Sequence, residues 1–249
     1  MGYKDVGIVI LAAGKGTRMK SDMAKVLHKV AGKSMIVHVI ECARKIARDN
    51  IHVVVGYQAE QVKNEINRWF KVKFALQPRL LGTGDAVKSA LPGMMPHIKD
   101  VLVLCGDVPL IQEKTLRKLI DGHKKSQAKL TVLATDVEDP SGYGRIVLGK
   151  NNHLLCIKEE ADASAAEKKI NRVNTGIYCF DKALLMSIID DIKPDNRQAE
   201  YYLTDGVEIA QKKGESILVL TMDDPREVVG VNTLEGLVKA ESFIQQLGK

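Results

Sequence analysis

Residues 11–19 read L-A-A-G-K-G-T-R-M and follow directly on the apolar residues Val6, Ile8, Val9 and Ile10. A strand that empties into a glycine-rich basic loop constrains the fold strongly, because α/β sheets bind ligands beyond the carboxyl ends of their strands. Gly14 and Gly16 lack a Cβ, so the backbone there can take unusual dihedrals and approach a ligand closely. N–H groups exposed in such a loop point at anionic oxygens, and Arg18 and Lys25 add two mobile positive charges. The loop reads as a phosphate cradle; an ordinary solvated turn is the alternative. Two better-known phosphate motifs are excluded. A dinucleotide fingerprint needs a third glycine where Met19 stands. A P-loop ending in Gly32-Lys33-Ser34 needs a glycine where Leu27 stands.

Short apolar runs at 6–11, 53–55 and 101–105 predict buried parallel strands. Between them Ser34 stands where it can cap a helix carrying Ile36, Val39, Ile40, Ala43, Ile46 and Ala47 on one face. Val62, Ile66, Trp69 and Phe70 mark a second helix, and Ala86, Val87, Ala90 and Leu91 a third that Pro92-Gly93 stops. This βαβα order predicts a doubly wound α/β sheet. After about residue 125 the pattern predicts strands at 129–135, 145–148, 154–157 and 173–180, with a polar loop at 139–144. Helices follow around Leu184, Leu185, Ile188 and Ile189 and through 207–210, then a strand at 217–220 and a last amphipathic helix from near Thr233. We expect a nucleotide-binding half over 1–110 and a substrate-binding half over 111–230 in one continuous core, then a C-terminal helix over 231–249.

Composition narrows the partners. A chain of 249 residues with 45% hydrophobic and 27% charged residues is a soluble globular protein with an ample core. No apolar stretch is long enough to span a bilayer. The first apolar run has Asp5 before it and the glycine loop after it, unlike a signal peptide, so a cytoplasmic location is expected. Cys42, Cys105, Cys156 and Cys179 form no C-x-x-C pair, and the histidines show no metal-ligand spacing, which argues against a disulfide frame or a zinc site. The net charge of +6 is scattered, and aromatic residues at 4% are too few for stacking platforms, so a small polyanion is a better partner than nucleic acid.

Cys105-Gly106-Asp107 closes a buried strand with a carboxylate. Asp107 can reach a divalent cation held by phosphates; alternatively it caps a helix starting near Pro109. Gln77 precedes Pro78, and Leu81-Gly82-Thr83-Gly84-Asp85 leads into a helix. A glutamine amide offers a donor edge and an acceptor edge, which suits a pyrimidine base. Because the amide can flip, it cannot alone separate uracil from cytosine, and a fixed backbone group at Gly82 must do so. The other reading of 81–85 is a glycine turn with a helix cap.

L-A-A-G-K-G-T-R-M, K-V-L-H at 25–28, L-G-T-G at 81–84 and G-D-V-P-L at 106–110 occur in that order. They continue with G-Y-G-R at 142–145, V-N-T-G at 173–176, E-Y-Y-L-T-D at 200–205 and G-V-N-T at 230–233. Over nearly its whole length the chain thus resembles the N-acetylglucosamine-1-phosphate uridyltransferase domain of the bifunctional bacterial uridyltransferase/acetyltransferase. The resemblance implies a Rossmann-like nucleotide-diphospho-sugar transferase fold, with a mixed, mostly parallel sheet flanked by helices. It implies transfer of uridylyl from UTP to N-acetylglucosamine 1-phosphate with Mg²⁺. Leu11, Ala12, Ala13 and Gly14 would hold the nucleotide, and Arg18 and Lys25 the phosphates. Gln77, Gly82 and Thr83 would read uracil, and Asp107 and Asn232 would hold Mg²⁺. Cys105 and Gly106 would wall the site, and Gly144, Glu159, Asn174, Tyr202 and Thr204 would line the sugar pocket. His28 is read as structural.

The chemistry agrees with these roles. The attacking phosphate is already ionised, so nucleotidyl transfer needs positioning and charge neutralisation more than a general base. Two unit charges ~4 Å apart repel by ~4 kcal/mol at an effective dielectric of ~20, and two polyanions create several such pairs. A bound Mg²⁺ offsets that repulsion economically. Three departures from the family stand out. Ala24 replaces a usual proline, which would loosen the loop carrying Lys25. Cys105 replaces a usual tyrosine, which would soften one wall. The sequence stops at Lys249 without the family's acetyltransferase β-helix and the trimer contacts that half provides, so the sugar phosphate is expected already acetylated. The alternatives are another sugar-1-phosphate nucleotidyltransferase of the same fold, or a catalytically silent nucleotide sensor.

Overall fold

The computed structural model describes residues 2–222, 224–228 and 230–246. In chain order the first half forms β1 (Val6–Ala12), β2 (Lys29–Val30), β3 (Lys33–Ser34), α1 (Met35–Arg44), β4 (Ile51–Val55), α2 (Ala59–Asn67), β5 (Lys73–Leu76), α3 (Thr83–Ala90) and β6 (Asp100–Cys105). The remainder forms α4 (Glu113–Ser126), β7 (Leu130–Asp136), β8 (Arg145–Leu148), β9 (Leu154–Lys158), β10 (Arg172–Asp181), α5 (Lys182–Ile188), α6 (Asp205–Lys212), β11 (Ile217–Met222) and α7 (Leu234–Gln246).

The most apolar strands sit in the middle of the sheet, as strands covered on both faces must. β1 pairs in parallel with β4 on one side and β6 on the other. The order across the sheet is β11-β7-β10-β6-β1-β4-β5, with β8 and β9 extending from β10. β10 runs antiparallel to both β6 and β7, so the sheet is mixed but mostly parallel. Side chains alternate across it with the strand period of two. Ile8, Ile10, Leu102 and Leu104 pack with Ile36, Val39, Val62 and Leu119 on one face. Val9, Val101 and Val103 pack with Val87, Leu185 and Val207 on the other. Helices therefore cover both faces, and the carboxyl ends of β1, β4, β5 and β6 open on one rim.

Four local expectations are corrected. Ser34 stands at the N-cap position of α1, but its hydroxyl makes no capping bond and donates to Glu65 Oε1 at 3.0 Å. Trp69 lies beyond the end of α2, is 47% exposed, and takes the Lys33 ammonium over its ring. β5 was not anticipated, because a four-residue edge strand that is only half-buried lacks the continuous apolar signature. The helix expected near Pro109 starts at Glu113, so Asp107 caps nothing. Val108, Leu110 and Ile111 are buried and must enter the core before the chain can turn outward as α4. The last helix begins at Leu234, as its pattern predicts, while residues 247–249 lie outside the described residues.

Candidate active site

Leu11 and Gly106 sit at the carboxyl ends of neighbouring parallel strands, and the Gly106 N–H donates to the Leu11 carbonyl at 2.9 Å. The two loops that follow therefore leave the sheet side by side. Gly16 takes the left-handed conformation (φ 69°), and a Cβ there would stand 2.5 Å from that of Lys25. Only glycine allows this contact, which stacks the first loop on the lysine. Gly14 differs: its φ is not positive, and a Cβ would meet nothing within 4 Å. The N–H groups of Gly14, Lys15 and Gly16 find no acceptor among the described residues, as an anion cradle requires.

Above this loop the charged residues converge. Lys25 Nζ is ion-paired with Asp107 Oδ2 and donates to Asn232 Oδ1 at 3.0 Å. Arg18 Nη2 donates to the same Asn232 oxygen at 3.1 Å. The Val231 N–H donates to the Asp107 carbonyl at 2.9 Å, binding the segment before α7 to the turn after β6. Residues 214 positions apart in sequence thus meet at one point. A carboxylate oxygen and an amide oxygen already share one cation here, the lysine ammonium. Two hard oxygen donors beside an open loop suit Mg²⁺, which takes one or two protein ligands and completes its shell from substrate and water. Among the described residues no three His, Cys, Asp or Glu side chains cluster as a protein-only metal cage would need.

To one side lies a cavity of about 260 Å³, lined by the 11–14 loop, Lys25, Gln77, Gly82, Thr83, Cys105 and Asp107. Gln77 is 3% exposed, and its Nε2 donates to the Gly82 carbonyl at 3.0 Å and to Asp85 Oδ2 at 2.8 Å. Thr83 Oγ1 accepts from the Leu203 N–H at 2.9 Å, so its hydroxyl also braces the 200–204 segment. Sequence reasoning missed Asp85, and also Leu80 and Glu200 on the cavity wall. The acidic residue inside L-G-T-G-D was the available signal for the first and the leading residue of E-Y-Y-L-T-D for Glu200; Leu80 had none.

A second wall is built from Gly144, Glu159, Asn174 and the 200–204 segment. The Asn174 N–H donates to the Gly144 carbonyl at 2.8 Å, and a Cβ on Gly144 would lie 3.3 Å from Glu159 Oε2. Glu159 Oε1 accepts from the Thr204 hydroxyl at 3.0 Å. Burial pushes the Glu159 carboxyl above its ordinary range, against the lowering effect of that bond. Two expected sugar-pocket residues are engaged internally. Asn174 donates to Tyr178 Oη at 2.6 Å and accepts from the Gly176 N–H at 3.1 Å, while the Tyr202 hydroxyl is bonded to Gln198. Cys105 lies between the charge cluster and this wall; burial pushes its thiol up to about 12, so it is a small neutral side chain near neutral pH. Its Sγ donates to the Gly176 carbonyl at 3.4 Å. Arg145, 1% exposed, pairs with Glu160 at 2.7 Å, and Glu160 also accepts from the Gly142 N–H, anchoring the polar loop that reaches Arg18.

The loop carrying Lys25 is not loosened by alanine at position 24. The Ala24 N–H, which proline would lack, donates to Gln58 Oε1 at 2.8 Å. Gln58 Nε2 donates to the Asp22 carbonyl at 2.8 Å, and the Tyr57 hydroxyl reaches the same carbonyl at 3.1 Å. His28 is 8% exposed with Nε2 unpartnered among the described residues, and burial lowers its pKa, consistent with a neutral structural residue.

A larger cavity of about 680 Å³ lies between α1, α4 and the end of α7. Its Lys33 is paired with Glu41 and its Lys114 with Glu227; the turn after β6 reaches it through Pro109–Gln112, but Gly14, Arg18, Lys25, Asp107 and Asn232 do not line it. The smaller cavity, with the cradle and charge cluster on its rim, is the candidate site.

The family model described as Nucleotidyl transferase matches residues 8–241. The chain is 45% identical over 242 residues to a protein named Bifunctional protein GlmU from Geobacter metallireducens, covering 97% of this chain and 51% of that protein. It is 40% identical over 238 residues to the protein of the same name from Bacillus subtilis, covering 96% and 52%. The chain therefore spans about half the length of the curated relatives it matches. Among solved structures, 4-diphosphocytidyl-2C-methyl-D-erythritolsynthase from Anaerococcus prevotii superposes with a TM-score of 0.67 at 18% identity, over 97% of this chain and 99% of that one. At that identity it is a likeness of fold. Among the described residues no helix is long and apolar enough to cross a membrane.

Proposed function

Since the chain belongs to the nucleotidyl transferase family, we propose that it transfers uridylyl from UTP to N-acetylglucosamine 1-phosphate, yielding UDP-N-acetylglucosamine and pyrophosphate. The observation that carries this reading is the meeting of Arg18, Lys25, Asp107 and Asn232 between a base-sized cavity and a polar wall. A sugar-phosphate oxygen attacks the α-phosphorus of UTP. The bond from that phosphorus to the bridging oxygen breaks, and its electron pair leaves with pyrophosphate. No proton need be removed from the nucleophile, in keeping with a site of cations, amides and carboxylates.

The loop N–H groups and Arg18 bind the triphosphate, and Lys25 neutralises charge on the phosphates brought together. Gln77 and Gly82 read the base, while Gly144 and Glu159 face the sugar. A Mg²⁺ held by Asp107 and Asn232 would supply charge neutralisation shared by both substrates. With Mg²⁺ held there, Asp107 would serve the metal and Lys25 the phosphates, which would make the observed ion pair a resting contact.

The test is pyrophosphate release from UTP and N-acetylglucosamine 1-phosphate, with and without Mg²⁺. Turnover is expected only with both substrates and the metal. Faster turnover with another triphosphate or another sugar phosphate would reassign the substrates, and binding without turnover would make the protein a sensor.

The Gln58 clamp gives a second expectation. Gln58→Ala removes two bonds that place the Lys25 loop, and kcat/KM should fall roughly tenfold, as a displaced reactive group costs. Ala24 already has the proline value of φ (−53°), so Ala24→Pro in the Gln58→Ala background should recover most of the loss. Additive losses in the double variant would refute the clamp.

A further inference from the structure

The polarity of the Gln77 amide is decided by its neighbours. Both groups that meet its nitrogen, the Gly82 carbonyl and the Asp85 carboxylate, can only accept. Turning the amide over would face its oxygen to two acceptors and forfeit both bonds. Oε1 has no partner among the described residues, and Gln77 lines the base-sized cavity. The Gly82 N–H likewise finds no acceptor among the described residues. Asp85 itself makes no ion pair among them: Lys88, one turn on in α3, pairs with Asp190 at 2.6 Å instead. Among the described residues the hydrogen bond from Gln77 is thus the one hydrogen bond this carboxylate accepts.

We infer that Asp85 is a specificity-determining positioning residue, which locks Gln77 so that only an acceptor faces the base and uracil is selected over cytosine. The inference rests on the uridine reading above. Uracil carries a donor at N3, where cytosine carries an acceptor. A pinned acceptor accepts the first and repels the second, whereas a free amide would turn to suit either. The base choice that a flippable glutamine cannot make is therefore restored by a residue that never touches the nucleotide.

The test measures Kd for UTP and for CTP by calorimetry, alongside kcat/KM with each, so that base selection is read even without turnover. Wild type should favour UTP. Asp85→Leu removes one of the two anchors and should lower the UTP:CTP ratio about tenfold, the scale of one hydrogen bond to a charged group. Asp85→Asn keeps an acceptor oxygen at the same place and should hold the ratio within about threefold. Gln77→Glu sets a carboxylate against two acceptors and should weaken UTP binding. Adding Asp85→Asn to it supplies a donor, which should recover UTP binding and distinguishes polarity from mere packing. A ratio unchanged in Asp85→Leu, or no recovery in the Gln77→Glu, Asp85→Asn pair, would overturn the role of Asp85 and leave the uridine reading standing. A wild type that favours CTP or shows no preference would overturn both.

Discussion

Asp107→Ala is expected to lower kcat by roughly 10²–10³-fold, the loss seen when a preorganised electrostatic group is removed from a reacting centre. The fold should tolerate the change. The carboxylate is 17% exposed, caps no helix, and leaves the Val231 bond to its own backbone carbonyl intact. The pair is largely shielded, so its loss costs more than the about 0–1 kcal/mol of a surface pair, but Lys25 stays bonded to Asn232 and Tm should fall by only several degrees. Lys25 keeps its bond to Asn232 in the variant and remains available to phosphate. UTP should therefore still bind, with the loss concentrated in kcat and in the Mg²⁺ concentration needed for half-maximal rate. Asp107→Asn should behave similarly, because the charge rather than the shape is at issue. Activity within tenfold of wild type in either variant would remove the electrostatic basis of the proposed function.

Gly82→Ala should be the most damaging of the glycine substitutions. Gly82 has φ 111° and ψ 177°, a region essentially confined to glycine. A Cβ would stand 2.6 Å from the Tyr201 carbonyl oxygen and 2.8 Å from its nitrogen. Both atoms belong to the bridge in which Tyr201 N–H donates to Leu81 and Gly84 N–H donates to Tyr201, each at 2.7 Å. Neither neighbour is a flexible side-chain end, so the two segments must part. Strain of about 1–3 kcal/mol and weakening of two bonds worth ~1 kcal/mol each should lower Tm by roughly 6–15 °C. UTP affinity should fall with it, since the same bridge shapes the base cavity. Gly14→Ala provides the contrast. A methyl there meets nothing in the protein, so Tm should hold while UTP binding weakens, because the methyl enters the space where the cradle faces its ligand. If both variants lost stability alike, the assignment of Gly14 to the ligand side would be wrong.

Most of the architecture is legible from residue patterns. The continuous apolar runs of β1 and β6 and the helical period of α1 and α3 reflect which faces each element turns to the core, and the core is formed by those same residues. β5 escaped because an edge strand buries too little to leave a pattern. Asp107 looked equally like a helix cap because the following helix could not be located without knowing that Val108, Leu110 and Ile111 are drawn inward. Ala24 looked like a weakness because its compensating partner, Gln58, lies 34 positions away. In the polar wall the family resemblance implied contact with a ligand, and the internal bonds that Asn174 and Tyr202 also make to their neighbours were not legible in it.

By itself the amino-acid order determined that this chain forms an α/β sheet with a glycine cradle at the end of its first strand, and which charged residues were candidates for the site. Hydrophobic period and missing side chains are local properties, so they survive being read along a line. Which oxygen Lys25 and Arg18 share, which way the Gln77 amide faces, and what holds residue 24 were decided only by the tertiary structure. Hydrogen bonds and ion pairs act over about 3 Å in space between residues far apart in the chain, and only packing brings their partners together.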